Sequence, residues 1–447
     1  MKYGKQTELA LQNFGRGRVP EKLIRAYGEV KKAAILAIQK TERFFPPEVY
    51  ESLLAAIEEL ISGKWNEECV IPLQQGGAGT SFHMNINEII ASRATEILHQ
   101  TYNIQRNLHP LEDVNRYQST NDTFPTAVTI VLFRDLLRIE EMVIALQATL
   151  VQKEKTYSLI PIMGRTELQD ALPMTLGQVF GGWAGMIERD RWRLHKLKDR
   201  VRVVALGGTA VGTGFPAPQE YVFAVEQYLR DVTGLPLARS QNLPDAIAHH
   251  DDWSELASGY LLLARNLEKL CNDLLLYTSS FLQEMTHPEI QYGSTIMAAK
   301  TNPVLLEWVK GMCMRAAALC RLVEDYHAAG NLQLNAFVPF IAEAMLEIAD
   351  LLQRSLEGMI RFLEIVVVNT DTMARHIDHS RAMLNLFLPV VGYEKTKAIA
   401  QKMPSFSNLE DLKRWLAENG FPEDLQNLCD ISSLTRFIRK IPKEKKP

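Results

Sequence analysis

Cysteine is sparse in this chain. Five residues, Cys69, Cys271, Cys313, Cys320 and Cys429, are scattered over 447 positions, with no CxxC pair and no metal-like spacing. That pattern excludes a disulfide framework and a cysteine-built metal centre. An odd number of apolar-flanked thiols fits a reducing compartment, with each thiol packed as a small hydrophobe. A basic surplus is lacking too. Forty-nine Lys+Arg face 53 Asp+Glu, for a net charge of −4, so nothing favours a nucleic-acid partner. The one charge run, "RKIPKEKKP", reads as a solvated chain end. No apolar run approaches the length of a membrane span. The polar start, "MKYGKQTELALQNF", carries neither an apolar signal region nor a cleavage site. Together these absences predict a cytoplasmic protein with no membrane partner.

Strand signals are also few, and helical periodicity fills the space they leave. "PEVYESLLAAIEELISG" (47–63) starts after prolines and ends on glycine, as a helix does. Residues 126–155, 253–283, 303–329 and 337–367 each read as one long helix with wide apolar coverage. These exceed the usual globular length and are too apolar for a surface position. The expected fold is mainly α, a bundle of long antiparallel helices. One chain cannot bury so much apolar helix surface, so the pattern also predicts an oligomer. "RVRVVALGGTAVGTG" (200–214) predicts a short strand and then a tight turn needing positive φ, with glycines that match no dinucleotide or phosphate loop. "PIMGRTELQDALPMTLGQ" (161–178) reads as a polar helix with an acid, Glu167, at its centre.

Polar, glycine-containing stretches interrupt the helices at 74–94, 109–127 and 291–311. Ser119, Thr120, Asn121 and Asp122 are all good N-cap types. Asn302–Pro303 reads as a helix start, with asparagine at the cap and proline at the first helical position. A helix N-terminus attracts anions. Lys300 adds a full positive charge, and Gly293–Ser294 forms a short flexible segment upstream. That set suits a carboxylate substrate, with the serine on a lid. Other clusters read as structural. His249–His250–Asp251–Asp252 predicts a solvated helix start. His376 and His379 lack a third ligand in sequence. The methionines of "MCMRAAAL" read as core.

These residues resemble a family. "GSTIMAAKTNP" (293–303) is similar to the GSSxMPxKxNP signature of the fumarase/aspartase superfamily. "GGAGTSFHMNINE", "QSTNDTFPTA", "GRTELQDALPMTLGQ", "LGGTAVGTG" and "GNLQLNAF" follow in that family's order and spacing, as do "YGKQTELALQNF" and "GYEKTKAIAQ". The resemblance covers essentially the whole chain and points to the aspartase and class II fumarase branch. It implies a three-domain, mainly α lyase with boundaries near 1–119, 120–372 and 373–447. It also implies a homotetramer whose active sites are shared between subunits, and no cofactor or metal requirement. The implied reaction is reversible anti β-elimination releasing fumarate from a succinyl compound. Carried over by motif, Ser294 is the general base. Thr80, Ser119, Thr120 and Thr295 hold the carboxylate that becomes an aci-carboxylate. Thr166, Lys300 and Asn302 hold the other carboxylate, and Asn121 faces the leaving group.

Four departures stand out. Ala298 replaces the signature proline. "HPLED" replaces the HPND of fumarases. The chain begins within the first family motif. Glu167 occupies a position held by histidine in fumarases and by histidine or glutamine in aspartases. A carboxylate there would pair with a cationic leaving group, or take up a proton and imitate glutamine, or mark changed activity. The expectation is a carbon–nitrogen lyase acting on aspartate or an N-substituted aspartate. The alternatives are a fumarase-type hydro-lyase and a non-catalytic tetrameric relative.

Overall fold

The computed structural model describes residues 2–404, 406, 408–421 and 423–426. Cys429 and the basic run 439–447 lie outside the described residues. The described part is mainly α, with 68% of it helical. Helices α1 (Lys5–Phe14), α2 (Glu21–Thr41), α3 (Pro47–Ile61) and α4 (Thr80–Tyr102) precede α5 (Thr120–Thr156) and α6 (Leu176–Val201). After them come α7 (Gln219–Thr233), α8 (Leu243–Ala248), α9 (Asp251–Tyr277), α10 (Val304–Ala328), α11 (Val338–Ile365) and α12 (Thr370–His379). Shorter helices α13 to α16 (Leu388–Val391, Tyr393–Lys402, Leu409–Glu418 and Glu423–Gln426) end the described part. Three two-stranded sheets complete it. β1 (Pro161–Thr166) pairs antiparallel with β2 (Gln169–Thr175), β3 (Val203–Val204) pairs parallel with β4 (Ala238–Arg239), and β5 (Met285–Thr286) pairs antiparallel with β6 (Val367–Val368).

The chain divides into two compact units. One comprises residues 1–142, 190–265 and 312–354; the other comprises 143–189, 266–311 and 355–447. The division falls within each of the five long helices α5, α6, α9, α10 and α11. In the first unit, α2 carries the stripe Leu23, Ile24, Tyr27, Val30, Ala34 and Ile38, all fully buried or nearly so. Their spacing of three and four follows the helical period, and burying each large member contributes about 1.5–3 kcal/mol. Glu88 of α4 fastens α1. Its carboxylate accepts from the Gly4, Gln6 and Thr7 N–H groups at 2.8, 2.9 and 3.1 Å, and from the Thr7 hydroxyl at 2.7 Å. In the second unit, Met163 of β1 joins a cluster with Ile377, Leu384, Phe387 and Leu416.

The long helices agree with the apolar pattern, although α9 ends at Tyr277, short of residue 283. The segment 161–178 corrects the reading. It is a β-hairpin running into α6, not a helix. Its apolar residues have no 3.6-residue period to bury, and Pro173 fits a two-stranded ribbon in which every strand is an edge. Two of the polar interruptions are also partly helical. α4 starts at Thr80 and α5 at Thr120, so "TSFHMNINE" and "TNDTFPTA" are first turns of helices. Cys69, Cys271, Cys313 and Cys320 are buried thiols, and burial pushes those of Cys69 and Cys320 up to about 12. Met312 is buried, but Met314 is exposed, so "MCMRAAAL" is only partly core. Among the described residues, no helix is long and apolar enough to cross a membrane.

Candidate active site

The first unit holds a cavity of about 640 Å³. Thr80, Ser119, Thr120 and Asn121 all line it, so four of the expected site residues come together. The N-termini of α4 and α5 bring them there. α4 starts from a left-handed run in which Ala78 and Gly79 have φ of 55° and 95°. A Cβ at Gly79 would also lie 2.7 Å from the Phe124 ring, so glycine is required there twice over. The Thr80 hydroxyl donates to the Gly77 carbonyl at 2.8 Å. At α5, the Ser119 N–H donates to Asp122 at 3.0 Å, while the Ser119 hydroxyl accepts from the Asn121 N–H at 3.2 Å. This reciprocal pair is a capping box with aspartate as its acid.

Asp122 reaches further. Its second oxygen accepts from the N–H groups of Gly207 and Thr209 at 3.2 and 3.0 Å. The Asn121 amide donates to the Ala210 carbonyl at 2.8 Å. These bonds draw the glycine-rich turn after β3 onto the mouth of the cavity, where Thr209, Ala210, Phe215 and Pro216 line it. The short strand and the positive-φ turn at 203–214 agree with the sequence reading. The place of that turn in the cavity wall was not legible. Burial pushes the Asp122 carboxyl up to about 6 against the pull of its three N–H donors and the Lys31 charge.

The cavity wall includes a polar cluster that sequence reasoning missed: His83, Asn115 and Gln118 line the cavity, and Lys31 binds all three from outside the lining. Lys31 is fully buried. Its ammonium reaches His83 Nε2 at 2.6 Å, Gln118 Oε1 at 2.9 Å and Asn115 Oδ1 at 3.1 Å. His83 Nδ1 lies 2.8 Å from the Thr120 hydroxyl. One signal was available. Lys31 falls four residues after Tyr27 and three before Ala34, in register with the buried stripe, whereas Lys32 pairs outside with Glu58.

The remaining expected residues belong to the second unit. Thr166 pairs with Gln169, leaving Glu167 and Leu168 as a two-residue hairpin loop. Both have positive φ, 55° and 62°, as a type I′ turn requires. Asn-Gly is the usual choice there, and larger residues are strained. Leu168 is 72% exposed and packs little. Leu168→Gly is therefore expected to stabilise the protein by about 1 kcal/mol, read as a higher urea midpoint. The hairpin is anchored below its turn. Arg165 makes two bonds to the fully buried Glu284, at 2.9 and 2.7 Å, and reaches Asp170 at 3.2 Å. His376 Nδ1 lies 2.6 Å from the same Glu284. No hydrogen bond joins the Thr166 or Glu167 side chain to another described residue.

Ser294, Thr295, Lys300 and Asn302 lie on the loop before α10. The Ser294 hydroxyl oxygen accepts from the N–H groups of Met297 and Ile296 at 3.0 and 3.3 Å. Thr295 and Lys300 are exposed. Asn302 does not cap α10. Its amide donates to the Gly293 carbonyl at 2.6 Å, closing the neck of the loop, and the helix begins at Val304. A Cβ on Gly293 would collide with the Lys300 carbonyl, so the neck closes only around glycine.

The clusters set aside also have definite places. His249 pairs with Asp245 at 2.8 Å. His250, however, is buried and stacked on Trp253 at 4.7 Å. Burial pushes its pKa down to about 3 and that of Asp252 up to about 7. Only part of this helix start is solvated, because the Trp253 ring shields His250. His379 turns to the Phe406 carbonyl at 3.2 Å, away from His376's partner. The His109 ring of "HPLED" accepts from the Leu111 and Glu112 N–H groups, both at 3.2 Å.

Comparison with known proteins identifies the family. The family model described as Lyase matches residues 2–318. An aspartate ammonia-lyase of Bacillus subtilis (strain 168) is 33% identical over 90% of this chain and 85% of its own. A class II fumarate hydratase of Ralstonia nicotianae is 36% identical over 90% of this chain and 88% of its own. The crystal structure of a fumarate lyase:delta crystallin from Brucella melitensis bound to cobalt superposes with a TM-score of 0.87. It is 33% identical and covers 96% of this chain and 95% of that one. With a matched family model and relatives spanning nearly its whole length, the chain belongs to the fumarase/aspartase superfamily and is an enzyme of that superfamily.

Proposed function

We propose that this enzyme is a carbon–nitrogen lyase. It releases ammonia or an amine from aspartate or an N-substituted aspartate and forms fumarate. The observation that carries this reading is Glu167, an exposed carboxylate at a hairpin tip with no hydrogen-bond partner among the described residues. A bare carboxylate repels a dianionic substrate but attracts an ammonium leaving group.

In this mechanism Ser294 takes the Cβ proton. The released electron pair forms the Cα=Cβ bond as the C–N bond breaks, and the amine departs with the bonding electrons. Serine is a weak base at its ordinary pKa. The two N–H groups aimed at the Ser294 oxygen favour its alkoxide, and the Lys300 charge on the same loop adds to them. Thr80, Ser119, Thr120 and Thr295 hold the carboxylate on which charge develops, where aimed donors contribute most to rate. Thr166, Lys300 and Asn302 hold the other carboxylate, and Asn121 faces the leaving group. We further propose a cytoplasmic homotetramer with shared active sites and domain boundaries near residues 119 and 372. Leu262, Leu276, Trp308 and Met314, 41–51% exposed on α9 and α10, support burial between subunits.

An ultraviolet assay for fumarate tests the reaction. L-aspartate, L-malate and a panel of N-substituted aspartates are offered, with fumarate plus amines in reverse. Turnover of an amine substrate that weakens in Glu167→Gln is the expected result. Dehydration of malate that survives Glu167→Gln, with every amine silent, would overturn the reading in favour of a hydro-lyase.

A further inference from the structure

We infer that Lys31 and His83 form a buried relay that fixes the direction of the Thr120 hydroxyl, so that its proton points into the cavity as a donor to a substrate carboxylate. The inference deepens the proposed function and rests on its assignment of Thr120 to carboxylate binding.

The argument follows donors and acceptors along the chain. The Asn115 amide nitrogen donates to the Gln118 carbonyl at 3.1 Å. The Gln118 amide nitrogen donates to the Val114 carbonyl at 3.0 Å. Those bonds fix both amides, so that each turns its oxygen to Lys31. Lys31 then faces two oxygens and the His83 Nε2 atom, three acceptors for the three protons of an ammonium. The Tyr27 ring face, 5.9 Å from Nζ, adds a cation–π contact. Burial lowers the Lys31 pKa, and the Asp122 charge opposes that shift. Burial, then the Lys31 charge, push the His83 pKa well below its ordinary value against the opposing pull of Asn115, and so favour the neutral ring.

A neutral imidazole has one N–H. When Lys31 donates to Nε2, that proton must sit on Nδ1. Nδ1–H then donates to the Thr120 oxygen at 2.8 Å. An oxygen that accepts from the ring keeps its own proton for the cavity side. The opposite tautomer would invert every step, and the Thr120 proton would point back at the ring. His83 is thus a positioning residue and Lys31 sets its polarity. Both lie in the first unit with Thr120.

Two variants of nearly equal size separate this role from a structural one. Glutamine at 83 can accept from Lys31 through its oxygen and donate to Thr120 through its nitrogen. Glutamate can only accept, so it would turn the Thr120 proton away from the cavity while still satisfying Lys31. His83→Gln is expected to retain about 10²-fold more kcat/KM than His83→Glu, the weight of one aimed donor. In a Thr120→Val background that difference should vanish. Each variant is checked for intact fold by circular dichroism and thermal melting. Nitrogen-15 spectra of histidine-labelled protein, with His83 assigned by its loss in His83→Gln, should show Nδ1 protonated and Nε2 bare.

Equal kcat/KM for the two variants would overturn the relay, as would a protonated Nε2. Should His83→Glu fail to fold, the tautomer decides alone. The kinetic arm uses whichever succinyl substrate releases fumarate, and the spectra use none. Silence of the amines would therefore sink the proposed lyase without touching the relay.

Discussion

Ser294→Ala is expected to lower kcat by roughly 10²–10⁴-fold, the usual weight of a positioned base, while the thermal melt stays where it was. The asymmetry follows from the loop. The Ser294 hydroxyl accepts two N–H bonds within a short turn and supports no core residue. Its loss removes the proposed proton acceptor and leaves the Asn302–Gly293 neck in place. Ser294→Cys is the informative companion. A thiol has a lower ordinary pKa than a hydroxyl but a larger atom, so partial activity with altered pH dependence is expected. An alanine variant with parental kcat would remove Ser294 from the chemistry and return the choice of base to the other loop residues.

Glu284→Ala should produce the largest loss of stability, about 3–5 kcal/mol, the cost of breaking a buried charge pair from one side. The carboxylate is fully buried and binds both Arg165 and His376. Without it, the Arg165 guanidinium keeps the partly exposed Asp170 contact and a 3.4 Å approach to His376 Nδ1. Urea unfolding reads the loss. A double-mutant cycle with Arg165→Met separates the pair from the packing, and a coupling near zero would mean that the hairpin is held by its apolar residues instead. Activity should fall alongside stability, because Arg165 immediately precedes Thr166 and Glu167. Glu284→Gln should lose less, since it still offers an oxygen to the guanidinium.

The sequence speaks clearly where one physical signal dominates. α9, α10 and α11 follow from apolar coverage alone. The cap at 119–122 follows from residue type, and the structure picks out Ser119 and Asp122 among its four candidates. The hairpin at 161–175 does not, because its turn uses Glu-Leu where the recognisable signal is Asn-Gly. A strained pair at a turn breaks the local rule that sequence reading depends on. Asn302 is ambiguous in sequence for a related reason. Its amide had two possible uses, and only the position of the Gly293 carbonyl decides between them. Lys31 was hidden because a lysine beside another lysine looks solvated, and burial on one helix face becomes visible only when the stripe is traced through it. The cavity-forming role of the 207–216 turn depends on Asp122, which lies more than 80 positions earlier in the chain. Contacts at that separation have no local sequence signature.

If Glu167 faces the leaving group as proposed, the β1–β2 tip makes selectivity inexpensive to change. Glu167 and Leu168 stand outside the strand pairing, their side chains are exposed, and the ribbon beneath them is locked by Arg165 and Glu284. The pair is therefore an exchangeable cassette. Replacing these two residues would reshape what the tip presents to a leaving group, while the ribbon, the cavity and the serine loop keep their own supports. Under the proposed carbon–nitrogen lyase reaction, a saturation library at that dipeptide would move the preference between small and bulky amines, and a glycine at the second position would offset strain that a new first residue brings.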